Sequence, residues 1–345
     1  MEWVLEKIKL CRAGRFLLKN QLVSRTWGNL SIMVDDDTFI VSPSGKSYME
    51  TEASDIATVN IKTLEFQGNC KPSSEMGAHG AIYSSDVGAF ACIHTHQRFA
   101  TAISVLATCY LDSKIDEKDS VIEKEIVKHI PQDMVDSFVP YGMAGSVELV
   151  NNIKKTIAKV KNNKNLFIIL ANHGVICWGK TIEEAIAVSL KLEKRCEDIC
   201  KKLGSVYQQW QVSPSKFAGL SYEEIKKCLT DDTFIYRIEN CPYINEGKKY
   251  ICYANQPEVL SVTDDFLEGY IDDFGQIVGP FIKIEKDGTI KLEAQNLDDL
   301  NAMYEITGKN SLSWQIAKKF GAKPIDIEKL NKMREKYVNY YSKLI

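Results

Sequence analysis

Apolar residues recur at Val4, Leu5, Ile8, Cys11, Phe16 and Leu17, the spacing of one helical face, and predict a helix from Met1 to about Leu22. Trp27-Gly28-Asn29 breaks that pattern. Leu30 to Val34 then reads as a strand, returning through residues 38–41 after the turn Asp35-Asp36-Asp37. A calcium loop is a poorer reading of the three aspartates, because the glycine and distal glutamate of an EF-hand are missing. Apolar runs at 89–93 and 166–171 predict buried strands, and helices are predicted over 75–84, 147–162 and 182–203. Thr181 is the N-cap of the last of these, with Glu184 at the reciprocal position. Its buried stripe is Ile182, Ala185, Ile186, Leu190, Cys196 and Ile199. Residues 100–110 fit either a helix or a strand packed on the core, and 114–128 a charged, solvated connection and helix.

Past residues 209–214 the pattern continues in shorter units. Strands are predicted at 233–238, 250–253 and 259–262, a hairpin pairs 281–284 with 289–292 about Asp287-Gly288, and helices span 297–306, 311–320 and 325–345. The segment Val212-Ser213-Pro214-Ser215 is the expected boundary between a domain at 1–212 and an α+β domain at 215–345. A length of 345 residues accommodates both cores.

Composition narrows the function classes. A net charge of -3 with no basic stripe argues against nucleic acid as a partner. No run is long enough for a membrane span, and the amphipathic N-terminus is not a signal peptide. The ten cysteines lack regular spacing and mostly sit in apolar runs, as reduced core residues of a cytoplasmic protein do. Cys196 and Cys200, four apart on one helix, fit core packing better than half a metal clamp.

Three of the five histidines terminate the predicted buried strands. His94 and His96 follow the run Ala89-Phe90-Ala91-Cys92-Ile93 and, two residues apart, point to one side of a strand. Such a pair is either half of a zinc site or two polar residues where a strand leaves the core. His173 follows the run 166–171 within Asn172-His173-Gly174, Gly174 giving the backbone freedom to turn. Three imidazoles at strand ends, with the carboxylate of Glu75, suit a catalytic divalent metal with an open position. Gly28-Asn29, Ser44-Gly45 and Ser73-Ser74 lie in polar loops beside strands, where backbone N–H groups and hydroxyls can encircle a phosphate or simply turn the chain.

The ordered pieces Gly28-Asn29-Leu30-Ser31, Ser42-Pro43-Ser44-Gly45, Pro72-Ser73-Ser74-Glu75 with His79, His94-Thr95-His96 and Asn172-His173-Gly174 resemble the class II aldolase/adducin family over roughly residues 1–210. The resemblance implies an α/β fold: a three-layer α/β/α domain around a mostly antiparallel sheet, here with a C-terminal α+β extension. It further implies a zinc ion on His94, His96 and His173, Glu75 as the proton-exchanging residue, and a substrate phosphate held by Gly28, Asn29, Ser44, Gly45, Ser73 and Ser74. His79 is expected to be a packing or supporting histidine. The implied reaction is reversible cleavage of a ketose 1-phosphate to dihydroxyacetone phosphate and an aldehyde, by a homo-oligomer that is a tetramer in family members. Tyr110, Tyr141, Tyr340 and Tyr341 are candidates for the acid at the aldehyde oxygen. Alternatives on the same fold are a sugar-phosphate dehydratase, an epimerase, and an adducin-like scaffold, the last ranked below the others because all three histidines are present. Glutamate rather than aspartate after the paired serines favours the aldolase or dehydratase over the epimerase.

Overall fold

The computed structural model describes residues 2–24, 26–115, 120–160, 165–203, 220–230, 243–247, 249–254, 262–263, 270–271, 277–278, 281–284 and 290–336. The chain opens with α1 (Val4–Lys19), then the strands β1 (Asn29–Asp35), β2 (Thr38–Val41), β3 (Ala57–Asn60) and β4 (Phe66–Gln67). After α2 (Met76–Tyr83) come β5 (Ala91–Thr95), α3 (Arg98–Ile115), α4 (Ser120–His129), α5 (Gln132–Asp136), β6 (Phe138–Val139) and α6 (Val147–Val160). The hairpin β7 (Phe167–Leu170) and β8 (Gly174–Gly179) leads to α7 (Ile182–Lys202) and α8 (Tyr222–Thr230). The predicted boundary at 213–214 and the predicted strand at 233–238 lie outside the described residues.

β1 to β8 form one sheet in the order β4-β3-β2-β1-β5-β8-β7-β6. Every pairing is antiparallel except β6 with β7. Residue parity divides the central strands between two cores. Ala91, Ile93, Val175, Cys177, Phe167 and Ile169 face α1, α3 and α7. Cys92, Ile176, Trp178, Ile168 and Leu170 face α2 and α6. Helices on both faces of a mostly antiparallel sheet make the expected three layers. The run at 89–93 is displaced as a strand: Phe90 is 49% exposed and pairing begins at Ala91, so β5 carries His94 within it.

Residues 98–115 are helical because the fold caps them. Glu193 of α7 accepts the Phe99 and Ala100 N–H groups, each at 2.9 Å, which satisfies donors that a helix start leaves open. At α7 the Thr181 hydroxyl accepts the Glu184 N–H as expected, whereas the Glu184 carboxylate takes the N–H of Lys180 instead of that of Thr181.

Beyond α8 lie β9 (Ile244–Asn245), β10 (Tyr250–Ala254), the paired β11 (Tyr270–Ile271) and β12 (Ile277–Val278), then β13 (Phe281–Ile284) and β14 (Ile290–Ala294). The expected pairing of 281–284 with the next strand is present, in a four-stranded sheet ordered β13-β14-β10-β9. The two helices expected over 297–306 and 311–320 are one, α9 (Leu297–Ala317), continued by a 3-10 turn at Lys318–Phe320. Gly308 and Asn310 interrupt the apolar spacing between the two, but Asn310 is buried and hydrogen-bonded. Its side chain accepts the Val262 and Thr263 N–H groups and donates to the Ile306 carbonyl. The last described helix is α10 (Ile327–Lys336).

α9 packs along α3. Leu312, Ile316, Ala317 and Phe320 join the core that holds Leu10, Ile103 and Leu106, while Leu300, Met303 and Ile306 cover β10 and β14. We propose that the division at 212/215 describes how the sequence is organised; in packing, α9 belongs to both sides of it.

Candidate active site

Strand parity assembles the site. Asn29 lies opposite His94, and Ser31 opposite Cys92, on the face that looks toward α2. From α2 come Glu75 at the N-cap, His79 and Tyr83, spaced four apart and hence on one helical face. Glu75, His79, His94 and His173 are all buried.

His94 Nδ1 lies 2.9 Å from the Val175 carbonyl, which has no proton to give, so Nδ1 carries the hydrogen and Nε2 presents its lone pair. That Nε2 lies 2.8 Å from Nε2 of His96 and 3.1 Å from Nε2 of His173. The three rings meet edge to face with centroids 4.7 to 4.9 Å apart. Glu75 completes the cluster, with Oε2 at 3.2 Å from His94 Nε2 and Oε1 at 3.6 Å from His173 Nε2. Imidazole nitrogens do not gather round a carboxylate at these distances for packing alone. Three nitrogen donors within 4.8 Å of one another, one fixed in its acceptor tautomer by a backbone carbonyl, fit a divalent cation.

The turn between β7 and β8 departs from expectation. Asn172, not Gly174, takes the left-handed conformation, at φ 55°. Gly174 is required by close approach: a Cβ there would stand 2.4 Å from the Thr95 carbonyl oxygen and 3.0 Å from His96 Cδ2. The two imidazole-bearing strand ends are thus as near as backbones allow.

Behind Glu75 runs a chain of hydrogen bonds with one direction. Burial alone would raise the Glu75 pKa, but in metal-free protein positive charge on the imidazoles of His94, His173 and His96 holds it down at about 2, so there the carboxylate is ionised and only accepts. Asn29 Nδ2 donates to it at 3.0 Å. Asn29 Oδ1 is therefore the acceptor for His79 Nε2–H. His79 Nδ1 then accepts from the Ser31 hydroxyl at 2.5 Å, and Ser31 accepts from the Tyr83 hydroxyl at 2.6 Å. Burial, with the neighbouring His94, pushes the His79 pKa down to about 3 and keeps its ring neutral, as this chain requires. His79 is a supporting residue. Ser31 and Tyr83 were not singled out as site residues in the sequence; their i, i+2 and i, i+4 spacings to Asn29 and His79 are the signal that could have found them.

The expected phosphate loops converge in part. Ser44 N donates to the Lys71 carbonyl at 2.9 Å and Ser73 N to the Ser42 carbonyl at 3.0 Å, bringing loops 42–46 and 71–75 together. The Ser73 hydroxyl accepts the Glu75 N–H at 3.2 Å and holds the carboxylate's backbone. The Asn29 side chain is engaged by Glu75 and His79, leaving its second amide hydrogen for a ligand. Gly28 has φ 83°, and a Cβ there would lie 2.7 Å from the His94 carbonyl oxygen, so its smallness serves the approach of β1 to β5. Ser44, Gly45, Lys46 and Lys71 face Asp298 and Asn301 of α9 across a cavity of about 850 Å³, which the imidazole triad does not line. Lys46 is paired with Asp55 at 2.6 Å.

Of the tyrosines, Tyr110 is buried against Phe138, with Lys114 over its ring. Tyr141 lines a second cavity with Asn172 and Lys329 of α10, and Tyr340 and Tyr341 lie outside the described residues. No described helix is long and apolar enough to cross a membrane.

Comparison with known proteins shows the family of the chain. Residues 192 in length align at 31% identity with an L-fuculose phosphate aldolase of Methanococcus maripaludis, covering 55% of this chain and 91% of that protein. A 3-oxo-tetronate 4-phosphate decarboxylase of Pectobacterium atrosepticum is 26% identical over 54% of this chain and 80% of its own length. A methylthioribulose-1-phosphate dehydratase of Schizosaccharomyces japonicus is 27% identical over 51% and 78%. Among solved structures, an L-fuculose 1-phosphate aldolase superposes with a TM-score of 0.46 at 23% identity, covering 68% of this chain and 98% of that one. The family profile for the class II aldolase and adducin N-terminal domain matches residues 8–200, which hold Asn29, Glu75 and all three imidazoles, and the chain belongs to that family.

Proposed function

We propose that this protein is a zinc-dependent aldolase that reversibly cleaves a ketose 1-phosphate to dihydroxyacetone phosphate and a small aldehyde. The observation that carries the reading is a buried Glu75 carboxylate within 3.2 Å of a three-imidazole cluster. His94, His96 and His173 would hold a divalent ion, which would supply positive charge beside the substrate's carbonyl oxygen. Glu75 handles the proton. In the condensation direction its carboxylate takes a hydrogen from the hydroxymethyl carbon of dihydroxyacetone phosphate, and in cleavage it returns that proton after the carbon–carbon bond breaks. Asn29 orients the carboxylate by its hydrogen bond, and His79, held neutral, orients Asn29. The loops carrying Gly28, Asn29, Ser44, Gly45, Ser73 and Ser74 are proposed to hold the phosphate through N–H groups and hydroxyls. The reading extends to a cytoplasmic homo-oligomer.

A panel of ketose 1-phosphates, assayed with zinc for dihydroxyacetone phosphate release, tests this. Wild type is also expected to exchange the hydroxymethyl proton of dihydroxyacetone phosphate with solvent deuterium, and Glu75→Gln to keep its metal while losing most of that exchange. Equal metal in wild type and in the triple alanine variant of His94, His96 and His173 would remove the metal site. The relatives named decarboxylase and dehydratase support a second reading on the same residues. Carbon dioxide or water released from a sugar phosphate, without dihydroxyacetone phosphate, would select it.

A further inference from the structure

We propose that Lys309, on a helix outside the family-matched segment, is a positioning residue for the metal ligand His96. The proposal rests on the metal reading of the imidazole triad. His96 is the least enclosed of the three ligands: His94 and His173 are buried, whereas His96 is half-buried and lies past Thr95, the last ladder pair between β5 and β8. Lys309 donates from Nζ to the His96 carbonyl at 3.0 Å, and it is only 4% exposed. Burying an ammonium costs several kcal/mol unless polar groups receive it. A helix that merely covered α3 would be better served by a leucine at this position.

Two further contacts fix α9 against the same end of the sheet. Glu305, one turn before Lys309, accepts the Ser24 hydroxyl at 2.5 Å, and Arg98 and Lys309 both place positive charge near its carboxylate. Trp27 packs into the small core that Leu300, Met303 and Ile306 make with β10 and β14. α9 therefore holds the segment that leads into Asn29 and, through Lys309, the segment that leaves His94. Residues 297–317 lie beyond the segment 8–200 that the family profile matches.

The test is cobalt(II) binding by the full-length chain, read from the visible absorption of the ion and by competition with zinc. Lys309→Met removes the charge while keeping a linear side chain. It is expected to weaken cobalt binding by about tenfold or more, as losing a group that orients a ligand does, and to change the absorption bands. Lys309→Arg, which keeps the positive charge, should recover part of both. Where the methionine variant fails to fold, Lys309→Gln, polar and neutral, is read in its place. A wild-type spectrum and affinity in a folded neutral variant overturn the proposal alone. A wild type that binds no cobalt overturns the metal reading and the proposal with it. If neither neutral variant folds, Lys309 serves the fold rather than the ligand, and the proposal fails.

Discussion

Asn29 donates to the Glu75 carboxylate at 3.0 Å, and this hydrogen bond joins the first strand of the β1–β2 hairpin to the N-cap of a helix 46 residues later. It also sets the sense of every bond behind it. Because ionised Glu75 can only accept, Asn29, His79, Ser31 and Tyr83 each have one consistent orientation. Asn29→Leu breaks the chain at its most central link. The Glu75 carboxylate is expected to titrate about one unit higher, measured by carbon-13 NMR on metal-free protein. Urea unfolding should show a loss of ~1–3 kcal/mol, because His79 keeps a buried N–H with no acceptor. An unchanged titration would mean that the imidazoles alone set the charge on Glu75.

His79 makes stability depend on acid. Its folded pKa, about 3, lies below the ordinary value of 6.5, so as pH falls through 6.5 the unfolded chain takes up a proton that the folded chain refuses. The folded state then loses stability down to about pH 3, and the contribution is flat above 6.5. The loss amounts to at most ~5 kcal/mol for metal-free protein. His79→Gln, which can still donate to Asn29, should remove most of that slope when midpoints of urea unfolding are compared across pH 3 to 7. Parallel slopes in the two proteins would place the acid sensitivity elsewhere.

Gly174→Ala tests the crowding between the two histidine-bearing strand ends. The added methyl would sit 2.4 Å from the Thr95 carbonyl oxygen, a backbone atom that cannot turn aside. Separation of β5 from β8 is expected to cost ~1–3 kcal/mol, as overpacking does, and to weaken metal binding by spreading the imidazoles. Calorimetric titration with zinc checks the second effect. Wild-type affinity in a destabilised variant would mean that the strand ends part without disturbing the rings.

The site's skeleton was legible in the sequence because its residues sit where strong patterns end. His94 and His173 close apolar runs, and Glu75 opens a helix, so the periodicity that predicts the elements also places the ligands. The hydrogen-bond chain behind Glu75 was not legible, since Ser31 and Tyr83 are ordinary strand and helix residues until β1 is set beside β5 with Asn29 opposite His94. Gly174 was assigned a turn, when its constraint comes from Thr95, 79 residues away in the chain; sequence shows a glycine's freedom but not its neighbours. α9 was divided in two because Gly308 and Asn310 interrupt its apolar spacing. Only tertiary partners, Val262 and Thr263, turn that polar break into a satisfied core position.

The sequence separates residues 215–345 as an accessory unit, and on that view a chain ending near Pro214 would keep its metal site. Packing predicts otherwise. Leu312, Ile316, Ala317 and Phe320 lie in the same core as Ile103, Leu106, Cys109 and Tyr110, so removing α9 bares the outer side of α3. Leu312, Ile316 and Phe320 are each worth roughly 1.5–3 kcal/mol when buried. Their joint loss approaches the whole stability of an ordinary domain, about 5–15 kcal/mol. The truncated chain would also lose the hold of Lys309 on His96 and of Glu305 on Ser24. It is therefore expected to be insoluble, or to bind a hydrophobic dye and unfold without a sharp thermal transition. A truncation that is soluble, cooperative in unfolding and equal to the full chain in zinc affinity would show that α9 covers the catalytic unit without supporting it.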